Sequence, residues 1–517
     1  MDRRQFLKRS AAATAVLPFF SFACGDVDTL LPSYTYSGPV GPVSTFSHGV
    51  ASGDPSAEGV ILWTRITPRD LGPVEVFWEV ARDPDFFDRV AADHAVAAQF
   101  RDWTVKIDLT GLKPGEVYYY RFFALGRQSQ VGRTRTLPVG SLEDLSLAVV
   151  SCSNIARGFF RAYRAIADRD DIFGVLHLGD YIYEYGGNQG EVPERDPDPP
   201  YDIVSLNDYR TRYAQYRRDK NLQKVHQQHP FITVWDDHES ANNSWYGGAE
   251  NHYPSQGPWE ARKTAAIRAY LEWLPIRESE SGKIWRSFAF GDLVDLMMLD
   301  TRLWGREEPP GFGISGDIAR AERQLLGDDQ EAWLLESLQN STSHWRLIGQ
   351  QVVMAQLRIS YEPEVFLNGD QWDGYASARD RLYAAIQEND VGNLVVVTGD
   401  IHSSWANELS VEPNDPAIYD PETGRGAIAC EFVTPAISSR GLAQLSAQLL
   451  NLLQSVNPHV KFLEATKNGY VNVEFSRTEV RAHFWHLDDV LDPVSPIQKV
   501  ASFRVLSGES KITPLES

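Results

Sequence analysis

Four short apolar runs in this chain each end in residues able to hold a metal ion. Residues 145–151 lead into Cys152-Ser153-Asn154, and 174–178 into Gly179-Asp180-Tyr181-Ile182-Tyr183-Glu184. Residues 231–235 lead into Asp236-Asp237-His238-Glu239, and 394–398 into Gly399-Asp400-Ile401-His402. Runs of this length read as buried strands. The C-terminal ends of such strands are where open α/β sheets place their ligands. Cys152, Asp180, Tyr183 and His402 offer a thiolate, a carboxylate, a phenolate and an imidazole, a donor set that suits a transition metal. Ferric iron best suits the phenolate, with zinc as the competing choice. Asp237 and Asp400, with Asp180 bridging, offer only oxygen, which suits Ca²⁺, Mg²⁺ or Mn²⁺. Asp236 and Asn243 lie close by as further oxygen donors and favour Ca²⁺.

Two cations sharing a carboxylate can lower the pKa of water and neutralise a phosphoryl group during in-line displacement. His238 follows a ligand and is expected to reach the phosphoryl group or the leaving oxygen. Asn154 and Arg157, just after Cys152 and ahead of a helix, are expected to bind phosphate oxygens, helped by that helix N-terminus. Arg302, in Asp300-Thr301-Arg302, is a weaker candidate for the same task. Taken singly, each of these residues has a plainer reading. An Asp at a strand end is usually a turn residue, a Tyr a packed ring and a Cys a small buried apolar group. Their joint appearance at four strand ends favours one site. His48, Asp54, His177 and Cys430 keep the plainer reading.

The elements that must position these residues fall into two patterns. From 45 to 137 the hydrophobic period is close to two, and Gly72-Pro73 and similar turns separate strand-like segments at 60–64, 74–80 and 103–107. Leu112, Pro114, Tyr118 and Tyr120 resemble the tyrosine corner of fibronectin-type sandwiches. From about 145 strands alternate with helices. Helices are expected over 159–167, 208–217, 259–274, 329–338 and 376–388, and strands over 284–290, 293–300, 345–348, 427–432, 470–475 and 480–485. Five segments result: an export signal (1–24), a linker (25–44), a β-sandwich (45–137), a catalytic α/β domain (138–490) and a C-terminal extension (491–517).

At 517 residues the chain is too long for one compact core. Its 49 basic against 70 acidic residues give a formal net charge of −21, which argues against a nucleic-acid partner. Arg3-Arg4-Gln5-Phe6-Leu7-Lys8 and the apolar stretch after it form a twin-arginine signal. The partner there is the twin-arginine export machinery, and the destination is periplasmic or extracellular. The segment ends either in cleavage near Ala23 or in lipid anchoring at Cys24. Cys152 and Cys430 are expected as free thiols.

The four strand ends together resemble the calcineurin-like metallophosphoesterase superfamily. The substitutions within them, with Cys152-Ser153-Asn154 and Gly179-Asp180-Tyr181-Ile182-Tyr183-Glu184, are similar to the PhoD-like alkaline phosphatase family. That resemblance runs from the signal to about residue 485. It implies an α/β fold: a metallophosphatase mixed β-sandwich flanked by helices, preceded by a small all-β fibronectin/Ig-like domain. It implies Fe³⁺ held by Cys152, Asp180, Tyr183 and His402, and Ca²⁺ held by Asp180, Asp237 and Asp400, with Asn243 as a further ligand. The superfamily's middle His ligand has no match, Gly349-Gln350-Gln351 standing in its place. The implied activity is an exported alkaline phosphatase. Such an enzyme is expected to hydrolyse phosphate monoesters, with diesters as a further class, by attack of a metal-bound hydroxide or oxide; the expected substrates are small esters and the expected state is a monomer. The rivals are a phospholipase D-type phosphodiesterase on lipid or teichoic-acid diesters and a catalytically inactive cell-surface binding protein.

Overall fold

The computed structural model describes residues 31–187, 191–279, 282–310, 318, 320–360, 368–441 and 447–516. The signal 1–24 and the start of the linker lie outside the described residues. Two large mixed sheets pack face to face. The first has ten strands, with Asp144–Val150, Gly174–His177 and Phe231–Thr233 as its parallel centre. The second has seven strands, built on the parallel neighbours Val294–Met298, Trp345–Gly349, Leu394–Thr398 and Ala429–Val433.

Side-chain alternation explains this layering. In the Leu394–Thr398 strand, Val395 and Val397 join the core shared by the two sheets. Leu394 and Val396 face the other way, into a core with Leu334 and Leu338 of the helix Asp328–Asn340 and Leu382 and Ile386 of the helix Ala376–Glu388. Val395, Val396 and Val397 are all fully buried, and each contributes about 1.5–3 kcal/mol relative to exposure. A one-residue slip would exchange the two faces, so the register that delivers Asp400 is tightly specified. Helices Arg161–Ala167, Leu206–Tyr216, Lys220–Gln228 and Trp259–Trp273 contribute to the core of the ten-stranded sheet.

The expected helices and strands form within a few residues of the positions read from the pattern. Lys220–Gln228 is a helix that the pattern did not suggest. Only Leu222 and Val225 are apolar in it, and its start is fixed by Asp219, whose side chain accepts from Asn221 N and Leu222 N.

The small β-rich region has its own core, around Val76, Tyr118, Tyr120 and Phe122. Tyr118 Oη accepts the backbone N–H of Lys113 at 2.9 Å, which completes the corner. Its strands divide between two sheets. Val74–Ala81, Arg89–Ala97, Val117–Ala124, Arg127–Gln128 and Gly132–Arg135 form a separate five-stranded sheet. Val50–Ser56, Gly59–Arg65 and Thr104–Thr110 instead extend the ten-stranded sheet, through Gly53 paired in parallel with Phe231. At Gly53 an added Cβ would lie 2.4 Å from the Pro275 carbonyl oxygen and 2.6 Å from that of Phe231, so the junction requires glycine. The opposite side of the ten-stranded sheet continues through Gly469–Ser476, Glu479–Leu487 and Ile497–Leu506. The C-terminal stretch, which carried no readable signal, thus supplies a strand of the main sheet.

Candidate metal centre

The three parallel strands of the first sheet and Leu394–Thr398 of the second end close together. Cys152 N donates to the Gly179 carbonyl at 3.2 Å and Ser153 N to that of Asp180 at 2.8 Å. Each turn bends sharply as its strand stops. Cys152, Asp180, Asn243, Asp400 and His402 have φ of 61°, 54°, 49°, 64° and 55°. Left-handed backbone in non-glycine residues costs about 1–3 kcal/mol each and persists only where the surroundings over-determine it. Gly179 has φ +104°, and a Cβ there would lie 2.3 Å from Asp236 Cβ.

Glu239 is one such over-determining group. Its carboxylate accepts backbone N–H groups from Asp180 at 2.9 Å, from Asp236 at 2.6 Å and from Tyr181, locking two turns together. Burial, with Asp180 nearby, raises Glu239 to about 8 despite these donors.

Four donor types meet at these turns. Cys152, Asp180 and His402 each present a ligand atom within 4.8 Å of the other two. Tyr183 Oη donates to Asp180 Oδ2 at 2.8 Å and lies 3.0 Å from His402 Nε2. His402 Nδ1 lies 2.8 Å from the Arg440 carbonyl. A carbonyl only accepts, so Nδ1 carries the proton, and Nε2 keeps its lone pair for the cluster. Ser439 Oγ donates to Tyr183 Oη at 2.6 Å. Burial, followed by the Asp180 charge, pushes both the Cys152 thiol and the Tyr183 phenol well above their usual range. A cation among these groups would offset both effects, so the donors fit a metal.

A second, oxygen-rich region adjoins the first. Asp180, Asp237 and His238 form one group of close ligand atoms, and Asp236, Asp237 and Asp400 another. Asp236 Oδ2 and Asp237 Oδ1 are buried with no hydrogen-bond partner, an arrangement a cation would satisfy. Asn243 approaches through its backbone N–H, which donates to Asp237 Oδ2 at 2.6 Å, while its side-chain amide donates to Glu250.

Arg302 is fully committed on this side. Its Nε donates to Asp236, Nη1 to Asp370 at 2.7 Å and Nη2 to Asp400 at 2.7 Å, with Asp237 3.8 Å away. It braces carboxylates, which leaves the phosphate-binding role suggested for it without support. Gln371 Nε2 also donates to Asp400.

His238 Nδ1 lies 2.6 Å from Glu184 Oε2, and its ring centre is 4.2 Å from that of Tyr183. Burial alone would lower its pKa, but Glu184, Asp237 and Asp180 together hold it well above the usual histidine value. Asn154 caps the short turn Ile155–Arg157, its Oδ1 accepting Ala156 N at 3.0 Å. That turn separates Asn154 and Arg157 from the next helix, which starts only at Arg161, so the expected help from a helix N-terminus is absent. Gln350 and Gln351 are fully buried. Gln351 accepts from Thr301, and Gln350 accepts from Trp372 Nε1 at 2.8 Å. Both glutamines work as structural bridges.

Outside the centre, Asp54 binds Arg286, and His177 lies 2.9 Å from Tyr163 Oη. His48 is buried edge-on to Trp273. Cys152 and Cys430 are free thiols. Glu184 and Glu239 lie inside the strand-end motifs, yet nothing in the pattern gave them a role. Asp370, Gln371 and Ser439 lie in irregular segments with no periodicity to mark them.

Residues 147–484 match the model of the PhoD-like phosphatase family, and residues 40–138 match its PhoD-like phosphatase N-terminal domain. Alkaline phosphatase D of Bacillus subtilis (strain 168) is 34% identical over 484 residues, covering 89% of this chain and 80% of that protein. A solved structure of PhoD has a TM-score of 0.84 at 32% identity, covering 94% of each chain.

Proposed function

The chain belongs to the PhoD-like phosphatase family, and from that premise we propose an exported alkaline phosphatase that hydrolyses phosphate monoesters, and diesters as a second class, at a centre of ferric iron and calcium. As a family member it is a metal-dependent phosphoric ester hydrolase. The observation that carries the finer reading is the meeting of a thiol, a phenol, an imidazole and a carboxylate beside a second set of oxygen donors that shares Asp180. Cys152, Asp180, Tyr183 and His402 would hold iron. Asp180, Asp237 and Asp400 would hold calcium, with Asn243 adjoining. Bound there, the cations supply Lewis acidity that activates water and neutralises phosphoryl oxygens.

The chain's own residues do the rest. Glu184 fixes the ring plane of His238 and favours its charged form, so that Nε2–H is the donor left for the phosphoryl oxygen or the leaving group. Glu239 and Ser439 hold the ligand turns and the phenol in place. Arg157 stands beside the ligand turns as a group for substrate phosphate, which phosphate it takes being argued below, with Asn154 shaping the turn that carries it. Arg3 and Arg4 support export by the twin-arginine route; among the described residues no helix is long and apolar enough to cross a membrane.

Elemental analysis with a visible spectrum tests the centre. The purified protein is expected to contain iron and calcium and to show a charge-transfer band that Tyr183→Phe shifts or abolishes. Zinc with no visible band, or full aryl-phosphatase activity after iron removal, would overturn the assignment.

A further inference from the structure

Two arginines from distant segments share one glutamate beside the ligand turns. Arg157 ends the short turn after Cys152. Arg440 directly follows Ser439, whose hydroxyl reaches Tyr183, and its own carbonyl fixes His402. Ser438 Oγ donates to the Asn154 carbonyl at 2.7 Å, tying the two segments to each other. Glu191 forms an ion pair with Arg440 Nη2 and lies 3.9 Å from Arg157 Nη1. Its backbone N–H donates to the Ala156 carbonyl at 3.0 Å, so the glutamate is anchored to the same turn. The side chains of Arg440, Glu191 and Arg157 are 60%, 30% and 20% exposed. All three therefore meet solvent while their backbones are fixed to the centre. In a chain of net charge −21, this trio carries two positive charges against one negative.

We propose that Arg157 and Arg440 bind a second phosphoryl group on the leaving portion of the substrate, and that Glu191 occupies that place in the free enzyme as an internal competitor. The preferred substrates are then small esters with two phosphate groups. This rests on the monoesterase reading above and extends it to substrate choice. A guanidinium presents a planar fork of donors that matches phosphate oxygens. A phosphate dianion offers the pair more charge and more acceptor oxygens than a single carboxylate does. Once displaced, Glu191 can turn to the water it already touches. Because the trio is part-exposed, the effect is modest and sensitive to salt. It acts on substrate capture, and so on KM before kcat.

The test compares initial rates on 1,3-propanediol bisphosphate and 1,3-propanediol monophosphate, which differ only in the second phosphate, using the purified metal-loaded protein. The wild type is expected to have the lower KM for the bisphosphate, with an advantage that shrinks as salt is added. Arg440→Gln should raise the bisphosphate KM by about twofold to fivefold, more than it raises the monophosphate KM, with kcat changing less than KM. Arg440→Lys should recover part of the loss, and Glu191→Gln should lower the bisphosphate KM. A ratio of the two KM values that is the same in the wild type, Arg440→Gln and Glu191→Gln would overturn the proposal and leave the monoesterase reading standing. Hydrolysis of neither ester would overturn both.

Discussion

Arg302 places the heaviest electrostatic demand on any single residue of the centre. Its guanidinium is completely buried, and each of its nitrogens faces a carboxylate. Burial by itself favours the neutral form, yet Asp236, Asp370, Asp237 and Asp400 hold the group firmly charged. Removing one partner of a buried charge network leaves the others uncompensated, at a cost of about 3–5 kcal/mol. Arg302→Gln should therefore lower the melting temperature sharply and reduce metal content, read by calorimetry and elemental analysis. Arg302→Lys should not rescue it, because one ammonium cannot reach three separately placed acids. A variant with wild-type stability and metal content would show that Arg302 is dispensable. Glu184 makes a different demand, since it touches His238 and the backbone N–H of Asn242. Glu184→Gln keeps the shape of the side chain but loses the charge that orients the ring. Its kcat for an aryl phosphate should fall by about 10–100-fold, with metal content retained. An unchanged kcat would remove Glu184 from any positioning role.

At the scale of elements, the site depends on strands that stop abruptly and turn through left-handed backbone. Gly179 shows why the turn cannot be built from just any residue: φ is +104°, and a methyl group would overlap Asp236. Gly179→Ala should push apart the turns bearing Asp180 and Asp237. The expected result is weakened metal binding and a stability loss of at least about 1–3 kcal/mol. Normal metal content and melting in that variant would mean the turn relaxes freely. The strand ends were legible in the chain because an apolar run followed by Gly-Asp or Asp-Asp-His is a strong local pattern; three such ends, with a fourth run ending in Cys152-Ser153-Asn154, reinforce one another. The supporting groups were harder to read. Glu239 and Glu184 act on backbone N–H groups and on a ring brought close only by the fold. Asp370 reaches Arg302 across 68 positions of sequence from an irregular loop. The helix Lys220–Gln228 hid because it is polar overall, with Leu222 and Val225 its only apolar residues and Gln223 and His226 sharing its buried face.

At the scale of the molecule, the N-terminal strands are part of the catalytic sheet. Val50–Ser56 pairs beside Phe231–Thr233, the strand that runs into Asp236 and Asp237. Side chains reinforce the seam. Trp63 Nε1 donates to the Glu272 carbonyl at 2.9 Å, Lys106 Nζ to that of Ile276 at 2.9 Å, and buried Asp54 binds Arg286 at 2.6 Å. The two regions have separate cores, which a sequence reading takes as separate domains, but the hydrogen-bonded ladder joins them. Deleting residues up to about 138 would leave an apolar strand, Phe231–Thr233, as an open sheet edge next to the turn that bears Asp236 and Asp237. Such an edge is a template for aggregation. The truncated protein is expected to be insoluble or to lose metal, while the full chain should unfold in a single calorimetric transition whose van't Hoff and calorimetric enthalpies agree. Asp54→Asn, which breaks the seam without removing anything, should lower that one transition as a whole. Two resolved transitions, with Asp54→Asn shifting only the earlier, would mean that the sandwich folds on its own and that the shared ladder contributes little to holding the phosphatase site.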